Sequence, residues 1–117
     1  MNIQVFGTKK SSDFRKAERW FKERRVKAQV IDLLDKGISR GELRSVAQAC
    51  GGLDALLDED CRDRDALALV KYTAAAQKED AILDHPQTLR QPIARNGKKA
   101  AVGYCPEVYE AWMREEK

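Results

Sequence analysis

The residues through which this chain could do chemistry are few: three cysteines, one histidine and a serine pair behind a basic loop. Cys50, Cys61 and Cys105 form no Cys-x-x-Cys pair, and His85 lies far from all three in sequence. The usual zinc spacings are therefore absent, and the odd count opposes a complete disulfide framework. Reduced thiols are the plain reading. Cys50 closes an apolar helix face and reads as a small core residue. Cys61 lies in an acidic loop. Cys105 precedes Pro106 at the start of a helix, where the dipole favours a thiolate, so it is a candidate for a relocated catalytic thiol.

Ser11 has two readings. In Ser11-Ser12-Asp13 a side-chain oxygen can accept an orphan N–H at a helix start, and Asp13 suits the positive end of the dipole. As a nucleophile Ser11 would need an adjacent base, and His85 is the only histidine. Around it stand Lys9, Lys10, Arg15, Lys16 and Arg19. Loop and helix N-terminus could form an anion cradle, because backbone N–H groups and the dipole serve that purpose whatever the side chain at position 11; the alternative is a solvated charged face.

The elements that must position these groups follow from pattern. Asn2–Phe6 alternates as a half-buried strand does. A helix follows to about Arg25, with Phe14, Ala17 and Phe21 on one face and Trp20 at its border. Lys27–Asp32 reads as a second strand. Ser39-Arg40-Gly41-Glu42 is a capping box, opening a helix that runs to about Cys50 and stops at Gly51-Gly52. Leu53–Leu57 reads as a helical turn and Asp58–Asp65 as a charged loop. Ala66–Tyr72 and Glu79–Asp84 read as helices. Asn96-Gly97 between two apolar-containing segments predicts a hairpin with both residues at positive φ. Pro106 opens a last helix carrying Val108, Tyr109 and Trp112 towards a core.

The order is β-α-β, a helical stretch, then β-β-α. A right-handed crossover with parallel pairing is expected of the first unit. The expected fold is α/β, one domain over residues 1–117, its small mixed sheet flanked by helices and its helical insertion at about 39–85.

With 117 residues, 43% hydrophobic and 35% charged, the chain can bury a core and does not fit the disordered class. No apolar run approaches the roughly 20 residues of a membrane span. The N-terminal segment lacks a signal-peptide pattern, so a cytoplasmic location is expected. Net charge is only +3, unevenly spread: residues 1–30 hold nine Lys/Arg against three Asp/Glu, and residues 51–85 hold four against nine. This asymmetry suggests an anion or an acidic partner for the N-terminal half. Trp20, Tyr72, Tyr104 and Trp112 show no nucleic-acid motif spacing, so direct nucleic-acid binding is not expected.

The segment Gly7-Thr8-Lys9-Lys10-Ser11-Ser12-Asp13-Phe14-Arg15-Lys16-Ala17 resembles the active-site loop of the arsenate reductase/Spx family. Arg90-Gln91-Pro92-Ile93-x-x-Asn96-Gly97-Lys98-x-x-x-Val102-Gly103-Tyr104 resembles that family's Arg-Pro-hairpin segment, and Ser39–Leu43 its insert-helix start. The resemblance spans about Ile3 to Trp112. It implies a thioredoxin-like fold and a cis bond before Pro92. It sets the family's nucleophilic cysteine against Ser11, and a second cysteine against Phe14. Oxygen in place of sulfur removes thiol–disulfide chemistry at that point.

The resemblance also implies an oxyanion held by one arginine in the insert and one before the proline. Here the insert offers Arg62 and Arg64 among Asp58, Glu59, Asp60, Asp63 and Asp65, and the residue before Pro92 is Gln91. Arg90 is displaced by one, which in a strand turns it to the other face. The candidate anion-binding set is Lys9, Lys10, Ser12, Arg15, Arg90 and Arg95, with no cofactor and no metal. The implied partner is a small oxyanion or, as for Spx-like relatives, RNA polymerase. A monomer is expected.

Overall fold

The computed structural model describes residues 2–115. Strand β1 (Ile3–Gly7) leads through a short loop into helix α1 (Ser12–Glu23), then β2 (Ala28–Asp32). Helices α2 (Arg40–Cys50), α3 (Arg64–Tyr72) and α4 (Ala75–Asp84) follow, and β3 (Ile93–Asn96), β4 (Lys99–Val102) and α5 (Pro106–Glu115) complete the chain. The sheet order is β2-β1-β3-β4, with β1 and β2 parallel and the other pairs antiparallel. The mixed sheet and its parallel first unit are as the sequence predicts.

Helices cover both faces. Ile3, Val5 and Ala94 meet Phe14, Ala17 and Phe21 of α1 and Tyr109 and Trp112 of α5. On the other face Phe6, Ile31 and Ile93 meet Leu43 and Val46 of α2, Leu67 and Val70 of α3 and Ile82 of α4. Strand alternation divides the two sets. The insert is further held by Glu79, which takes both Arg40 and Arg44 of α2. Those guanidiniums lower the Glu79 pKa, with Arg44 the larger cause. No helix among the described residues is long and apolar enough to cross a membrane.

Several boundaries differ from expectation. α1 stops at Glu23 because Arg25 adopts φ 59° and the Val26 N–H bonds to the Phe21 carbonyl, a Schellman closure without its usual glycine. The acidic loop is shorter than Asp58–Asp65, since the Asp63 side chain caps the Ala66 N–H and α3 starts at Arg64. α4 begins at Ala75, not Glu79, as alanine favours. In the hairpin Asn96 pairs with Lys99, so the turn is Gly97-Lys98 and positive φ falls on Gly97 alone. That is the pattern of a II′ turn, not one needing both Asn96 and Gly97 at positive φ.

Candidate functional site

The loop after β1 brings Ser11 to the head of α1. The ring of Phe14 lies so close to Gly7 that an added Cβ would stand 2.3 Å from its Cδ1. Only glycine lets α1 approach the strand end this closely. The Ser11 N–H donates to the Thr8 carbonyl at 3.0 Å, and Ser11 Oγ accepts the Phe14 N–H at 3.2 Å. The hydroxyl is the helix cap, the first of the two readings above. Ser11→Ala should therefore lower unfolding free energy by about 1 kcal/mol in a urea titration, the ordinary effect of losing a serine cap.

The bond before Pro92 is cis, as the resemblance implies. The side chain of Gln91 reaches back across the loop, where its Oε1 accepts the Thr8 N–H at 2.6 Å and the Thr8 hydroxyl at 3.1 Å. This tie between loop and proline was missed in the sequence. The one signal for it was the polar residue preceding Pro92.

Facing Ser11 is an open depression of about 470 Å³. Thr8, Lys10, Ser11 and Gln91 line one side and Asp58, Asp60, Cys61, Arg62 and Asp63 the other. Gln87 donates to Asp63 Oδ2 at 2.9 Å, and this bond, with the Ala66 N–H, holds the Asp63 carboxyl below its ordinary pKa. A neighbouring hollow joins Ser11, Asp13, Asp58, Asp60, Arg90 and Gln91. In both, carboxylates outnumber cations, a setting that repels a multiply charged oxyanion.

Of the candidate anion ligands, Lys10 and Arg90 stand beside Ser11. Arg90 lies against Gly103, where an added Cβ would meet its guanidinium at 3.0 Å. Arg15 is committed to the Lys9 carbonyl at 3.1 Å. Lys9 borders a small notch with Phe14 and Val30, and Ser12 is exposed on the first turn of α1. Arg95 does not join them. Pairing opposite Gln4 places it at the far end of β1, where it donates to Gln4 Oε1 at 2.7 Å. Arg64 donates to the Glu59 and Cys61 carbonyls, so it too is occupied.

The thiols stand apart from the loop in chemistry. Cys61 is 5% exposed, with Sγ directed at the Gln87 carbonyl at 3.3 Å. Cys105 donates to the Val102 carbonyl at 3.4 Å. Burial, then Glu107, raises the Cys105 pKa against a smaller opposing effect of Arg90, reversing the helix-start expectation of a favoured thiolate. Burial also raises the Cys50 pKa.

The model of the ArsC family matches residues 6–112. The chain belongs to the ArsC family. This ArsC chain is similar in structure to an arsenate reductase from Vibrio cholerae, with TM-score 0.79 and 22% identity over 95% of this chain and 97% of that one. An ArsC family related protein from Bacteroides fragilis superposes with TM-score 0.81 at 16% identity, covering 95% and 97% of the two chains. An arsenate reductase (ArsC) related protein from Brucella melitensis gives 0.64 at 19%, covering 97% and 96%. At these identities the likeness speaks to the fold, which is thioredoxin-like α/β. No curated protein sequence matches this ArsC chain.

Proposed function

We propose that this ArsC family chain does not reduce arsenate by the family's thiol route and acts through binding instead. The observation that carries the reading is the cap at Ser11. An oxygen, already accepting the Phe14 N–H, stands where the resemblance sets the nucleophilic sulfur. In the family's route a thiolate attacks arsenic and then exchanges with a glutathione- or thioredoxin-type thiol. A serine hydroxyl titrates far above neutrality and has no disulfide to exchange. The carboxylates around the depression add to this, since they disfavour an oxyanion there. Arsenate turnover by the purified protein, with glutathione and with thioredoxin, tests the reading: none is expected, and sustained turnover refutes it.

A second reading is a regulator that docks on RNA polymerase, as Spx-like relatives do. The exposed Leu69 and Tyr72 on α3 support it, because two large apolar side chains face solvent from one insert helix. Binding of purified polymerase, lost on Leu69→Glu with Tyr72→Glu, would favour docking over a small-molecule site at Ser11.

A further inference from the structure

We propose that Arg95 and Lys98 bind a phosphoryl dianion, free or carried on a small ester, in a hollow at the end of the sheet away from Ser11. Strand register builds one wall. Gln29, Gln4 and Arg95 stand opposite one another across β2, β1 and β3. Ile3, Val5 and Ala94 pack on the other face, so by alternation this polar row lies on the α2 side. Arg95 Nη1 donates to Gln4 Oε1 at 2.7 Å, and its Nε donates to Ser45 Oγ of α2 at 3.4 Å. Neutral oxygens therefore position the half-buried guanidinium. Its Nη2 has no hydrogen-bond partner among the described residues. The neighbouring carboxylate of Glu42 accepts from the Ser39 N–H and from Gln4 instead.

Beside Arg95 an open hollow of about 650 Å³ lies between α2 and the hairpin turn. Gly41, Arg44, Ser45 and Gln48 line it from one stripe of the helix, and Arg95 and Lys98 line it from the hairpin. The lining holds three cations and no carboxylate, the reverse of the depression at Ser11. Arg44 gives its Nε and Nη2 to Glu79, which offsets its charge. The uncompensated charge is that of Arg95 and of exposed Lys98, and two such cations match a dianion. A guanidinium edge suits phosphoryl oxygens, a lysine adds a point charge, and the Ser45 hydroxyl and Gln48 amide can donate to what remains. The hollow is larger than a phosphoryl group, so an organic portion fits towards Gly41. This site is independent of the reading at Ser11 and would stand even if that reading failed.

NMR titration of the uniformly ¹⁵N-labelled full chain at about pH 7.5, where the second phosphoryl proton is lost, tests it. Inorganic phosphate, glycerol 3-phosphate and acetate are compared at constant ionic strength. The amides of Ser45, Gln48, Arg95 and Lys98 should shift saturably with either phosphoryl probe, with a Kd of about 1 mM or below, while those of Thr8–Phe14 stay in place. Equal affinities assign the site to the free oxyanion; tighter binding of the ester assigns it to a phosphorylated molecule. Arg95→Gln and Lys98→Gln should each weaken binding about tenfold. Gly41→Glu should do the same without harming the fold, because a Cβ at Gly41 meets nothing within 4 Å and a carboxylate suits the first turn of α2. Shifts that do not saturate, shifts centred on the Ser11 loop, an equal response to acetate, or binding indifferent to Lys98→Gln and Gly41→Glu would each overturn the proposal.

Discussion

Ser11→Cys should create a thiol that outpaces the three native ones. At pH 7 its alkylation by iodoacetamide should run about tenfold faster than that of all native thiols together, as expected of a cysteine at a helix N-terminus. The new sulfur inherits the Phe14 N–H and the positive end of α1, both of which stabilise a thiolate. Asp13, Asp58 and Asp60 oppose this from the neighbouring hollow. Asp13 and Asp58 are half-buried and Asp60 is exposed; solvent and salt screen them in part, whereas the N–H contact is direct. The native background is slow for a physical reason: burial raises the pKa of Cys50 and Cys105, and Cys61 is covered. The sign of the pH dependence follows. The variant's rate should already be near its plateau at neutral pH, while the rate at Cys50 and Cys105 should climb only as pH rises past the ordinary thiol range. Mass spectrometry of the labelled peptides separates the four sites. Equal rates at position 11 and at the native cysteines would mean that the head of α1 does not activate sulfur.

The second large effect concerns the core behind the site. Tyr109 is fully buried, packed among Trp20, Phe21, Tyr104 and Trp112, and its hydroxyl donates to the Gly103 carbonyl at 3.2 Å. Burial drives its phenol pKa well up, so the hydroxyl stays a donor across the whole working range. Tyr109→Ala should cost about 3–5 kcal/mol in equilibrium unfolding, because the ring's contacts are lost and a cavity remains. Tyr109→Phe should cost only about 1 kcal/mol, the net value of one hydrogen bond. That loss should be visible as a lower urea midpoint at unchanged slope. A Tyr109→Ala loss below that of Tyr109→Phe would contradict the packing described for α1 and α5.

Much of the architecture was legible because local chemistry and tertiary packing agree. Ser39 and Glu42 form both bonds of the capping box, and the apolar stripe of α1 is buried as its spacing requires. The failures have identifiable causes. Arg25 takes a left-handed conformation ordinarily left to glycine, so nothing in its type announced the end of α1. Asn96-Gly97 marked the hairpin but not its register, which strand pairing sets one residue further on. At the site, Ser11 as cap was readable from position. The electrostatics were not, because the acidic wall comes from residues some fifty positions away in sequence and only the insert's packing brings it to the loop. Arg95 failed for the same reason, since register opposite Gln4 decides where it lies.

The most direct measurement is arsenate turnover by the native chain and by Ser11→Cys in parallel, with glutathione and with thioredoxin as reductants. The account predicts a silent native protein and a variant that, though its thiol is reactive, gains little turnover, because the carboxylates around the depression disfavour arsenate. Turnover by the native chain would contradict it and would make Cys105 the first thiol to replace.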